Sequence, residues 1–183
     1  MRHLFLAVML IAPLPSPARA MSVHQAASEA RGFLRPCVYK NVYRQGLCQQ
    51  NQVNFVEEYV RALAGDRSAQ GSTMASFSRL SRDPTFDLGE PSNQVFACAW
   101  ATVIYTETPR GDPNRPVAAA VVGDQCKPLD PHALAVAALA AAKLQARLRS
   151  DSVHLPPRWD PTSRDLFPTG SRLTPHAVPG TRR

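Results

Sequence analysis

Glycine is scarce in this chain, nine residues of 183, so few backbone positions suit the close approach of a ligand. No Gly-rich loop of the kind that cradles phosphate is present. H-E-x-x-H, G-x-S-x-G and C-x-x-C-H are missing as well, which removes the common signatures of zinc proteases, serine hydrolases and c-type haem attachment. No apolar run approaches the ~20 residues of a membrane-spanning helix. Residues 132–148 come nearest, but they are alanine-rich and carry Lys143 and Arg147. Concentrated positive charge is lacking too. Residues 21–150 hold 14 Lys/Arg against 11 Asp/Glu, and residues 151–183 hold five Arg against three Asp. Nucleic-acid binders gather their cations into a stripe, so nucleic acid is not an expected partner. The mild excess allows only weak contact with an anionic envelope surface.

What the chain has first is an export signal. Arg2 and His3 precede an apolar run at 4–12, followed by Pro13, Pro15 and Pro17 and then by Ala18-Arg19-Ala20. A positive n-region, an apolar h-region and a small-x-small cleavage site, in that order, define a cleavable secretory signal peptide over 1–20. The run is too short to span a bilayer. The prolines behind it cannot extend its helix, because each lacks an amide hydrogen and clashes with the preceding turn. The mature chain is therefore expected to begin at Met21 without a transmembrane anchor, and to be periplasmic or secreted. No cysteine lies near the cleavage point to accept a lipid.

Cys37, Cys48, Cys98 and Cys126 all fall in the mature chain. An even number outside the cytosol points to two disulfides. Three pairings are open to four cysteines, and loop-closure cost favours Cys37 with Cys48 and Cys98 with Cys126. The spacings contain no C-x-x-C and no nearby histidine pair, so neither zinc nor any other cofactor is expected.

Removing the signal leaves a length that suits one domain with a tail. The character of the chain changes near residue 150. Residues 151–183 hold six prolines among Ser, Thr and Arg, with no apolar periodicity. Such a segment buries too little to offset its ordering entropy, and it is expected to be disordered, with Trp159, Leu166 and Phe167 as isolated apolar points that could form a short docking motif. Between signal and tail the pattern is helical. Ser22 and Gln25 are spaced as a capping box for a helix to about residue 34, which Pro36 stops. Residues 38–44 are short and rich in Val and Tyr, and read as either extended chain or a helical turn. Over 50–64, Val53, Val56, Val60 and Leu63, broadened by Phe55, Tyr59 and Ala62, recur at three- and four-residue steps. Gly65 suits its C-terminal cap. Asp66 is an N-cap for a helix to about residue 80 that buries Ala69, Thr73, Phe77 and Leu80.

After a polar loop at 81–92, Asn93 restarts a helix to about residue 106. It is apolar nearly all round and so should be central. Residues 109–116 form a second loop. Residues 117–126 read as a short helix on the strength of three alanines. Asp130 followed by Pro131 is a strong helix start, for a helix to about residue 149 with Leu134, Ala137, Ala138, Ala141, Leu144 and Leu148 on one face. The expected fold is all-α: five or six short antiparallel helices in hairpins, braced by disulfides.

Within this pattern one resemblance stands out. Ala69-Gln70 followed seven residues after the Gln by Phe77, and Ala97 followed three residues later by Trp100, are similar to the Sel-like subclass of tetratricopeptide repeats. The likeness covers a single hairpin over about 66–106. It departs from that family at Thr73-Met74, where the family has Leu-Gly, and in the turn, where only Gly89 stands for Gly-x-Gly-Val. No second copy follows in tandem, so an extended solenoid is not implied. The resemblance implies that Ala69, Gln70, Phe77, Ala97 and Trp100 form the hairpin's core and that the module binds protein.

Candidates for chemistry are few. Glu57 and Glu58 are adjacent on a helix and point about 100° apart, so they do not converge, although Glu58 and Arg61 are spaced to pair across a turn. Asp87 and Glu90 share the 81–92 loop, where a carboxylate pair could serve acid–base work. His24, His132, His154 and His176 are scattered. Four paired cysteines leave no free thiol as nucleophile. No catalytic, metal or cofactor-binding residue is expected. The leading expectation is a non-enzymatic protein-interaction module that meets its unknown protein partner along a groove between helices and through the 81–92 loop. Two alternatives are an envelope hydrolase working through Asp87 and Glu90, and a periplasmic inhibitor or stability factor.

Overall fold

The computed structural model describes residues 21–78, 92–150 and 153–155. The expected signal peptide, the loop bearing Asp87, Gly89 and Glu90, Leu80, Trp159, Leu166, Phe167 and His176 lie outside the described residues. Within them the fold is all-α. Six helices run in the order α1 (Val23–Gly32), α2 (Val42–Leu63), α3 (Arg67–Phe77), α4 (Gln94–Glu107), α5 (Arg115–Cys126) and α6 (Pro131–Ser150). Two disulfides, Cys37–Cys48 and Cys98–Cys126, brace them, and no free cysteine remains among the described residues. No helix among those residues is long and apolar enough to cross a membrane.

Local sequence sets most of the helix starts. Ser22 and Gln25 form the reciprocal capping box of α1. The carboxylate of Asp66 accepts from the Ala69 amide at 3.1 Å, that of Asp130 accepts from Ala133 at 2.8 Å, and the Asn93 side chain accepts from Phe96 at 3.3 Å. Each satisfies one of the amides that a helix leaves unpaired at its N-terminus. Between α2 and α3 the chain reverses at Gly65, whose φ of 94° is left-handed and suits glycine. Beside that turn Arg61 reaches across four residues to Glu57 at 3.8 Å and also pairs with Asp66. Glu58, spaced to pair with Arg61 across a turn, adds its charge to the same group.

Consecutive helices pack as hairpins from α1 to α5, and α6 then skips α5 to lie along α4. This makes α4 central: seven of its residues, Gln94, Ala97, Cys98, Ala99, Trp100, Ala101 and Val103, are buried. The core is built around aromatic rings. Phe77 stacks on Phe96 at 5.3 Å and meets Phe55 edge-on at 5.4 Å, while Trp100 meets Tyr59 edge-on at 6.2 Å. Phe33, at the end of α1, reaches Phe77 at 5.0 Å and Phe96 at 4.9 Å. The buried residues of α1 are all alanines, Ala26, Ala27 and Ala30, with Val23 packed partly against the same core.

Three expectations need correction. Helix α2 begins at Val42, eight residues before the expected start, because Asn41 caps it through the Arg44 amide at 3.1 Å. On α6 the buried stripe is Ala137, Ala141 and Leu144, while Ala138 is exposed and Leu134 is 39% exposed. The expected boundary near residue 150 is also too early. Val153 is buried, its amide donates to the Leu63 carbonyl at 3.4 Å, and Leu155 packs partly into the core.

A polar tie closes the bundle between its first and last helices. The Tyr59 hydroxyl, buried in the core, donates to Glu29 Oε1 at 2.7 Å, and Arg147 donates to both oxygens of Glu29 at 2.7 and 2.9 Å. Burial, reinforced by the Glu29 charge, pushes the Tyr59 phenol far above its usual range.

Candidate interaction surfaces

The residues singled out for the repeat-like hairpin all lie inside the bundle. Ala69, Gln70 and Phe77 are buried on α3, and Ala97 and Trp100 on α4. The two helices pack against each other. Gln70 Nε2 donates to the Ala62 carbonyl at 3.4 Å, while Gln70 Oε1, Thr73 Oγ and Trp100 Nε1 are closed off from solvent without a partner among the described residues. These side chains hold the fold together; they present nothing to a ligand.

Among the described residues, the candidate chemical groups do not assemble. His24, His132 and His154 are each exposed and lie on separate parts of the chain. No group of three or more His, Cys, Asp or Glu among the described residues is placed to hold a metal ion. An open depression of about 340 Å³ lies where α4 ends and α5 begins, lined in part by Tyr105, Arg110, Asp112 and Arg115. One of its two arginines, Arg115, is already engaged. Arg115 lies over the Tyr105 ring at 4.3 Å and donates to the carbonyls of Tyr105 and Thr108. Arg67 also donates to the Glu107 carbonyl at 3.2 Å. Two guanidinium groups thus complement the negative end of the α4 dipole.

Two surfaces stand out once the interior is accounted for. The first is formed by α5 and α6. Helix α5 buries only Gln125 and is tied to α4 at both ends, by Arg115 at its start and at its finish by the Cys98–Cys126 bridge and by Gln94, whose Nε2 donates to the Gln125 carbonyl at 2.7 Å. Helices α5 and α6 flank α4 instead of packing extensively on each other. Val117 on α5 is 63% exposed, and Leu139 on α6 is 64% exposed with Val136 three residues before it at 42%. Ala135, Ala142 and Ala146 continue the outer side of α6, and that helix contains no acidic residue.

The second surface is the segment 35–44 that leads into α2. Val38, Val42 and Tyr43 are 84%, 77% and 76% exposed. Arg35, Lys40 and Arg44 are exposed among them. The segment is held from below. Cys37 is bridged to Cys48, the one buried residue in the first half of α2. The Gln45 side chain accepts from the Tyr39 amide at 2.9 Å and donates to the Cys37 carbonyl at 3.0 Å. Gln52 donates to the Arg35 carbonyl. Sequence reasoning missed this surface because its apolar residues follow no periodicity; the glutamines at 45 and 52 were the available signal. No protein-family model, curated protein or solved structure matches this chain.

Proposed function

We propose that this chain is an extracytoplasmic helical module that binds a partner protein through the outer side of α5 and α6. The observation that carries the reading is the exposure of Val117, Val136 and Leu139 on two helices that flank a common central helix. Val136 and Leu139, three residues apart, lie on one side of α6, and a partner helix laid along that side would cover them. The alanines between them allow close approach. The resemblance of the α3–α4 hairpin to a Sel-like repeat points the same way, toward a scaffold for protein binding. Export supports the disulfides, since such bridges persist outside the reducing cytosol.

The test uses the full chain as bait in an envelope fraction, with brief crosslinking. Wild type should capture a discrete protein that the Val117→Asp/Leu139→Asp variant does not, while both show the same far-UV circular dichroism. Identical capture profiles for the two would overturn the reading.

A further inference from the structure

We infer that the disulfide-locked segment 35–44 is a docking knob for anionic lipid surfaces, separate from the α5–α6 face. The physical case begins with charge. Arg35, Lys40 and Arg44 lie within ten residues, and the sequence contains no Asp or Glu between Glu29 and Glu57. No ion pair among the described residues engages these three cations. They stand beside the three most exposed large apolar side chains of the described residues, Val38, Val42 and Tyr43. Cations at the level of lipid headgroups, a tyrosine at the polar–apolar boundary and aliphatic groups beneath are the composition that an interfacial site requires.

Shape separates a lipid surface from a protein partner. Each of the three apolar side chains is more than three-quarters exposed, so each stands largely open to solvent instead of being walled in by neighbours. A protein partner would need a matching pocket for each; a bilayer accommodates them without one. Rigidity adds to the case. The Cys37–Cys48 bridge and the Gln45 and Gln52 side chains fix the segment before contact, so little ordering entropy is lost on binding. The site combines apolar insertion with charge, two weak signals that together give stable but reversible attachment.

The experiment is co-sedimentation of the full, oxidised chain with vesicles of pure phosphatidylcholine and of phosphatidylcholine with 30 mol% phosphatidylglycerol. Binding should favour the anionic vesicles and fall steeply between 0.01 and 1 M salt, over which the screening length shrinks from about 30 Å to about 3 Å. Removing one cation should weaken binding about fivefold, so Lys40→Gln sets that scale and Lys40→Glu should exceed it. Val38→Ser/Tyr43→Ser should also weaken binding, and should do so at high salt as well as low. Neither change touches a buried residue, and circular dichroism confirms folding. Lys127→Glu, an equal change of net charge at the end of α5, is the control. Equal loss from Lys127→Glu and Lys40→Glu would mean that net charge alone acts, and would overturn the assignment. So would equal binding to both vesicles, or no binding to the anionic ones; capture of an acidic protein through the same residues would then name the other occupant.

Discussion

Helix α5 offers the sharpest test of how the fold is held. Its apolar burial is slight, and its attachment to α4 rests on Arg115 at one end and on Cys126 and Gln125 at the other. Replacing both cysteines of that bridge, Cys98→Ala/Cys126→Ala, should therefore have two separable effects. The first is global. The bridge closes a loop of sequence separation 28, and in the chain-entropy account its loss lowers stability by about 3.6 kcal/mol. The corresponding figure for Cys37–Cys48, with a separation of 11, is about 2.8 kcal/mol. The second effect is local. With its tether gone, α5 retains too little buried area to share the stability of the core, and its amides should open without global unfolding. Urea denaturation measures the first effect, with a fall in melting temperature of about 10 °C as a check. Hydrogen exchange measures the second. Residues 55–63 of α2 should lose protection in proportion to the global loss, by up to about 400-fold, while the amides of residues 115–126 should open at a lower free energy than those of α2 and so be the less protected of the two. If α5 in the variant stays as protected as α2, its attachment is apolar after all and the reasoning fails.

Two further outcomes follow from the polar contacts. Asp66→Ala should lower stability by about 1 kcal/mol through the lost N-cap; little of this comes from the Arg61 pair, which is partly exposed and screened. The Ala69 amide bond, followed by Arg61, holds the Asp66 carboxyl below its usual value. Its contribution is thus complete above the unfolded-state pKa of about 3.9 and fades as pH falls through the lowered value, so Asp66→Asn, measured by thermal melts in acid, should flatten that fall. Tyr59→Phe removes a buried hydroxyl while leaving Glu29 paired with Arg147, and should cost about 1 kcal/mol. Glu29→Ala should cost more, because it leaves the buried Tyr59 hydroxyl without its acceptor. The Tyr59 phenol lies above its unfolded value of about 10, so it stabilises the fold below that pH and the effect is lost as pH rises; ultraviolet titration should show one tyrosine that ionises only on alkaline unfolding.

Four of the six helix starts were legible in the sequence, because a cap is a local event, whereas α5 starts without a side-chain cap. Ser22, Asp66, Asn93 and Asp130 each bond an amide three residues on, and side-chain type with spacing suffices to find them. The near-uniform apolarity of α4 likewise revealed its central place. The beginning of α2 was hidden for the opposite reason. Residues 42–47 do not pack into the core, so no hydrophobic period marks them, and their helix is held by Asn41, Gln45 and the Cys37–Cys48 bridge. On α6, alanine occurs on every side, so pattern alone could not tell Ala138 from Ala137. The two surfaces were illegible because a reading from periodicity assigns apolar residues to the interior. The Glu29–Arg147 contact, 118 positions apart, leaves no local trace at all.

That contact has a consequence for biosynthesis. A ribosome delivers α1 and α2 first, while most of the chain is still unmade. Yet Tyr59 and Glu29 wait for Arg147, and the Leu63 carbonyl waits for Val153. At translation rates of about 5–20 residues per second, the roughly ninety residues between Leu63 and Val153 take about 5–20 s to appear. Until α6 is made, the side of α4 that it covers stays open, a substrate for chaperones and proteases alike. Messages cut short before α6 should therefore yield fragments that are cleared rather than stored.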